Sequence, residues 1–80
     1  MVEPISIEQS IRAGLACTHL QVQGDGAHFE AVIVSPAFAG LNRVRQHQLV
    51  YAALGDRMRQ EIHALSMKTF SPEEWASRQS

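Results

Sequence analysis

His63-Ala64-Leu65-Ser66-Met67-Lys68-Thr69-Phe70-Ser71-Pro72-Glu73-Glu74-Trp75 is the stretch on which the fold turns. From Ala64 to Phe70 apolar and polar residues alternate, the period of a half-buried strand. Ser71-Pro72-Glu73-Glu74 then reads as a helix start. The serine is the cap, the proline takes the first helical position, and Glu74 stands where a capping box needs its acid. A strand therefore runs directly into a short closing helix that includes Trp75. His63 sits at the junction between the preceding helical pattern and this strand.

Upstream lies Arg43-Val44-Arg45-Gln46-His47-Gln48-Leu49-Val50-Tyr51-Ala52-Ala53-Leu54, with Asn42 as a plausible N-cap. At 100° per residue, Val44, His47, Val50, Tyr51, Leu54 and Met58 fall within about 120° of one another. This is the expected core stripe, with Arg45, Asp56 and Arg59 opposite it in solvent. The main helix is expected to end near Glu61. Phe38-Ala39-Gly40-Leu41 is a connection with room for a single helical turn.

Further back, Leu20-Gln21-Val22-Gln23 alternates as a strand, and Gly24-Asp25-Gly26 is a turn signal. His28 to Ser35 forms the second strand of a hairpin. Phe29, Ala31 and Ile33 share one face, His28, Glu30, Val32 and Val34 the other, and Pro36 stops the strand. Ser6-Ile7-Glu8-Gln9 has the form of a capping box, and Ile7, Ile11 and Leu15 make the apolar face of a first helix. Gly14 weakens its last turn. The order is helix, strand, strand, helix, strand, helix. Three strands cannot bury both faces unaided, so the helices are expected to pack on one face. The hairpin is antiparallel, and a third strand arriving after a long helix allows a parallel neighbour, giving a small mixed α+β sheet.

Eighty residues make one domain, residues 1–80. A chain of this size buries roughly 60% of its unfolded surface, with no spare core for a deep private active site. It is 45% hydrophobic and 19% charged, the balance of a folded globular protein, and its net charge of −1 gives no global field toward nucleic acid or anionic lipid. One cysteine, Cys17, excludes an internal disulfide. Met-Val-Glu-Pro-Ile-Ser has no basic or apolar leader character, and no apolar run approaches the ~20 residues of a membrane span. A cytoplasmic protein with no membrane association is the expectation. No nucleophile stands with an obvious base, and there is no phosphate loop or recognisable carboxylate pair, so an enzyme is not expected.

Arg43 to Leu54 together with Ile62 to Trp75 closely resembles the BolA-like family, and the resemblance covers nearly the whole chain. It implies an αββααβ core similar to the class II K-homology (KH) domain, here with an added closing helix. In relatives the histidine matching His63 ligates a [2Fe-2S] cluster shared with a monothiol glutaredoxin. The hairpin supplies a second ligand, Cys or His by subfamily. Asp25-Gly26-Ala27-His28-Phe29 looks like the histidine-loop, YrbA/IbaG-type version, which makes His28 the candidate. By itself His63 would pass for a polar junction residue, and His28 for an exposed strand residue.

The resemblance thus implies a non-enzymatic adaptor in iron–sulfur cluster trafficking or iron sensing. Its metal and cofactor ligands would be His63 and His28, with glutathione and the partner's cysteine completing the site. Imidazoles on one iron and thiolates on the other are a known arrangement, and a chain with one cysteine suits half a site. No cluster is expected to stay on the isolated protein, a monomer or weak homodimer when alone.

The alternative is a DNA-binding transcriptional regulator of the BolA type, with Arg43, Arg45 and Lys68 as the contacts. Against it, only Gly40 occupies the region of a Gly-x-x-Gly clamp, and Arg43 and Arg45 point about 160° apart on the helical wheel. His47, in the apolar stripe, is expected to pack half-buried with its ring nitrogens hydrogen-bonded. His19 carries no assigned role. The four histidines lack the close spacing of a structural zinc site. Cys17 reads as a buried, apolar-like thiol.

Overall fold

Three strands form, β1 (His19–Gly24), β2 (His28–Val34) and β3 (Ala64–Phe70), in a computed structural model that describes residues 2–79. They lie in the order β1-β2-β3. β1 and β2 are antiparallel, with His19 opposite Val34 and Gly24 opposite Phe29. β3 is parallel to β2, with Ala64 beside His28 and Phe70 beside Val34. A tight turn can close the antiparallel pair, whereas the parallel return needs the intervening helices. The mixed sheet follows the sequence pattern. Phe29, Ala31 and Ile33 are buried on one face of β2, and His28 and Glu30 are exposed on the other.

Helix α1 (Pro4–Gly14) buries Ile7 and Ile11. It does not begin with the predicted Ser6–Gln9 capping box. Pro4, whose fixed φ suits the first helical position, starts it, and Glu3 stands in the cap position. Ser6 is therefore inside the helix, where its Oγ accepts a hydrogen bond from Arg57.

Helix α2 (Arg43–Leu54) begins as expected, with Asn42 Oδ1 accepting from the Arg45 amide at 2.9 Å. It stops well short of Glu61. Gly55 turns the chain at φ 58°, a left-handed conformation that costs glycine little, and its amide closes on the Tyr51 carbonyl. A separate short helix, α3 (Arg57–Gln60), follows.

The buried side of α2 is also rotated from the predicted stripe. Gln46, Val50 and Leu54 are buried, while Val44 is 65% and Tyr51 43% exposed. Gln46 explains the difference. Its Nε2 donates to the carbonyls of Phe38 and Leu41, and its Oε1 accepts from the buried Thr69 hydroxyl at 2.6 Å. An amide with both ends engaged can be buried at little cost, although hydropathy counts it as a surface residue.

β2 ends at Val34 rather than Ser35. Ser35 is buried, donates to the Ala16 carbonyl, and accepts the Ala37 amide. This opens a 3₁₀ turn at Pro36–Phe38 that places Phe38 in the core. The helical turn thus falls ahead of Gly40 rather than running from Phe38 to Leu41.

Helix α4 (Pro72–Gln79) starts with the predicted capping box. The Glu74 amide donates to Ser71 Oγ, and the Ser71 amide donates back to Glu74 Oε1 at 2.9 Å. That backbone hydrogen bond from Ser71 holds the Glu74 carboxyl below its ordinary pKa.

Residues of α1 and α2 share one core with Phe29 and Ile33, so these helices cover one face of the sheet. α4 instead closes a corner of the other. Trp75 stacks on His19 at 5.0 Å and meets Phe70 at 5.3 Å. His19 and Phe70 flank Val34 in register, and Val34 is fully buried beneath this cluster. Among the described residues, no helix is long and apolar enough to cross a membrane.

Candidate metal centre

The hairpin fixes His28. Asp25 Oδ1 accepts from the amides of Ala27 and His28, each at 2.9 Å, and the Asp25 amide donates to the His28 carbonyl. The two bonds to the carboxylate, that from His28 first, hold the Asp25 carboxyl below its ordinary pKa. A short aspartate at a turn thus ties down the backbone of the histidine that follows. Alternation along β2 puts the exposed His28 ring on the sheet face away from α1 and α2. There it lines a hollow with Gly24, Asp25, Ala64 and Ser66.

His63 is fixed from the helical side. Ile62 is buried in the core, and its amide donates to the Arg57 carbonyl. The next residue, His63, is exposed, and the one after it begins β3. His63 lines a different hollow of about 610 Å³, with Glu3, Ser6, Gly26, Arg57 and Glu61. The parallel register sets His28, the first residue of β2, beside Ala64, and His63 immediately precedes that residue. Their side chains flank that sheet end from two sides.

Among the described residues no three His, Cys, Asp or Glu side chains are grouped closely enough to hold a metal ion. Cys17 and His19 lie at the Val34 end of the sheet, opposite the His28 end. At about 3.3 Å per strand residue they are roughly 20 Å away. His19 is occupied by Trp75. Cys17 is half-buried rather than buried, its Sγ donates to the Leu15 carbonyl, and desolvation pushes its thiol pKa up. The structure therefore offers two exposed imidazoles that line separate hollows rather than one assembled donor set. Two imidazoles do not make a closed metal site, and a metal held by either would take its remaining ligands from elsewhere.

His47 is half-buried as expected, but its Nε2 is buried without a hydrogen-bond partner among the described residues. Burial, then the charge of Arg43, pushes its pKa below the ordinary histidine value. The three cations named for nucleic acid are not gathered on one surface. Arg43 donates to the Thr69 carbonyl at 2.7 Å and lies over Phe70, so it is part of the scaffold. Lys68 lines a shallow groove on the open sheet face with Gln21, Gln23 and Glu30. Arg45 is exposed on α2.

Two arginines were not singled out by the sequence. Arg78 lies over both Phe70 and Trp75. Arg57 joins α1 to the turn before His63. Arg57 lies four residues before Glu61, a helical ion-pair spacing, and that was the only signal available for it.

The family described as BolA-like protein matches residues 6–74. The chain belongs to the BolA-like family. Acid stress protein IbaG of Escherichia coli is 36% identical over 76 residues, covering 94% of this chain and 90% of that protein. The DNA-binding transcriptional regulator BolA of Haemophilus influenzae is 38% identical over 60 residues, 75% of this chain and 58% of that one. Among solved structures, a bolA protein homologue from Coxiella burnetii superposes with a TM-score of 0.86 at 45% identity, covering 95% of this chain and 99% of that one. Yeast Fra2 superposes with a TM-score of 0.75 at 30% identity, covering 94% and 85%. These likenesses agree with the α+β mixed-sheet fold.

Proposed function

We propose that this BolA-like protein is a non-enzymatic adaptor that pairs with a monothiol glutaredoxin and shares a [2Fe-2S] cluster with it, in cluster trafficking or iron sensing. The observation that carries this reading is the pair of exposed imidazoles, His28 at the start of β2 and His63 just before the parallel neighbour β3. Neither ring is tied into the core, and each stands on backbone held by local hydrogen bonds. His63 is the main ligand and His28 the second. The partner's cysteine and glutathione supply the thiolates that this chain lacks. When bound, the cluster supplies iron for the imidazoles to ligate and joins the two proteins. The residues of this chain do the holding and orienting.

Anaerobic reconstitution tests it. The protein is mixed with a monothiol glutaredoxin from the same cell, iron, sulfide and glutathione, and visible absorption and circular dichroism are recorded. Wild type, His63→Ala and His28→Ala run together, with far-ultraviolet dichroism as the folding control. A spectrum distinct from that of the glutaredoxin alone, and lost in His63→Ala, is the expected result. A spectrum indifferent to this protein and to both substitutions refutes the site.

The second reading, DNA binding, is supported by the relative named as a DNA-binding transcriptional regulator. Arg43 already serves the scaffold, so the cleaner probes are the exposed Arg45 and Lys68. If both touch phosphate, Arg45→Ala with Lys68→Ala lowers the slope of log affinity against log salt by about 2.

A further inference from the structure

The turn that carries His63 is held by a side chain that the site itself does not use. Arg57 is the first residue of α3, and its side chain is 22% exposed. Its Nη1 donates to the Ser6 carbonyl at 3.0 Å and to Ser10 Oγ at 2.6 Å. Its Nη2 donates to Ser6 Oγ at 2.8 Å and to Glu61 Oε1, and its Nε donates to Glu61 Oε2. The Arg57 carbonyl accepts the amides of both Glu61 and Ile62. One residue thus binds α1 through three acceptors and the segment before His63 through both a carboxylate and two amides.

The hollow lined by His63 is also lined by Ser6, Arg57 and Glu61, so this network forms the wall beside the imidazole. A planar guanidinium with five donors can satisfy all these partners at once, which an ammonium cannot. Without it, α3 is one short helix between Gly55 and β3, with no fully buried residue and only the half-buried Met58 against the core. A helix this short has little intrinsic stability.

We propose that Arg57 is a positioning residue: its guanidinium ties the turn that carries His63 to α1 and so fixes where the imidazole stands. The role of this position in cluster sharing rests on the function proposed above. The tie itself does not, and the experiment separates the two.

Amide hydrogen exchange by nuclear magnetic resonance reads the turn directly, because the amides of Gln60, Glu61 and Ile62 are all hydrogen-bonded in the native state. Arg57→Gln accelerates their exchange by roughly tenfold or more relative to β1 and β2. A purely global loss of stability would raise exchange across the sheet as well. Ser6→Ala with Ser10→Ala is the second variant, in case Arg57→Gln fails to fold. It removes two of the acceptors while favouring helix in α1, and it gives the same local loosening.

Exchange at these three amides that stays at the wild-type rate, or that rises only in step with the sheet, overturns the tie. Reconstitution with the monothiol glutaredoxin runs in parallel. Weaker cluster dichroism in both variants, with His63→Ala abolishing it, supports the positioning role. Wild-type dichroism in a loosened variant, with His63→Ala still abolishing it, overturns that role. If His63→Ala is silent, the cluster reading falls, and the exchange rates alone still decide whether Arg57 holds the turn.

Discussion

Replacing Gln46 by leucine is the sharpest test of how this core is built. The change keeps the side chain's approximate size and raises its hydrophobicity, so hydropathy alone predicts a gain in stability. The structure predicts a large loss. Gln46 is 3% exposed and spends its amide on the Phe38 and Leu41 carbonyls and on Thr69 Oγ1. The Phe38 carbonyl keeps the Leu41 amide as a partner, but Leu41 O and the buried Thr69 hydroxyl lose theirs. Leu41 is only half-buried, so the Thr69 hydroxyl carries the penalty; at 1–3 kcal/mol for a buried group left unpaired, the substitution costs about 2 kcal/mol. An 80-residue domain has a total stability of about 4–12 kcal/mol, so this is a substantial fraction. It corresponds to a fall in Tm of about 12 °C. Urea and thermal unfolding followed by far-ultraviolet dichroism give the measurement. Adding Thr69→Val to Gln46→Leu removes one orphan, so the double variant is more stable than the sum of the singles by about 1 kcal/mol. A Gln46→Leu protein as stable as wild type, or a cycle with no coupling, refutes this account of the α2–β3 interface.

Gly24 and His47 give two further tests. A Cβ at Gly24 would lie 2.5 Å from the His28 carbonyl and 2.6 Å from Phe29 Cδ1, so Gly24→Ala forces the hairpin apart. Its cost is about 2 kcal/mol by chemical denaturation; unchanged stability would show that the loop holding His28 is more adaptable than its geometry implies. His47 titrates below its ordinary 6.5 in the folded protein because of burial and Arg43. The unfolded chain therefore takes up this proton first as pH falls. The associated stability is fully present above 6.5 and is lost between that value and the lowered folded one. His47→Leu flattens that part of the Tm–pH curve, and an unchanged curve in the variant refutes the assignment.

The local chemistry of the chain was enough for much of the fold. Alternation placed β1 and β3, because a half-buried strand shows a period of two, and the Gly24-Asp25-Gly26 turn and Pro36 bounded β2. Asn42 and Ser71 marked the starts of α2 and α4 through side-chain oxygens that satisfy backbone amides within three residues. His63 and His28 came from the resemblance, and the sequence left open whether they were near each other. The parallel register of β2 and β3 puts His28 at the start of one strand and His63 just before its neighbour, a fact of pairing between segments far apart in the chain.

What the sequence misread depends on partners that only the folded molecule provides. Ser6 looked like a cap and became an acceptor for Arg57, 51 residues away. Gln46 was left out of the core stripe because nothing local announces that Phe38, Leu41 and Thr69 will meet its amide. Val44 and Tyr51 looked buried because a wheel scores a residue's own hydropathy. In the protein, the interior is set by the face of α2 that reaches the sheet. Sequence alone therefore determined the three strands and the starts of α2 and α4, governed by interactions over a few residues, while the candidate ligands came from the family resemblance. Tertiary structure decided which face is inside, where the long helix breaks, and what holds His63, because those rest on hydrogen bonds and contacts between distant segments.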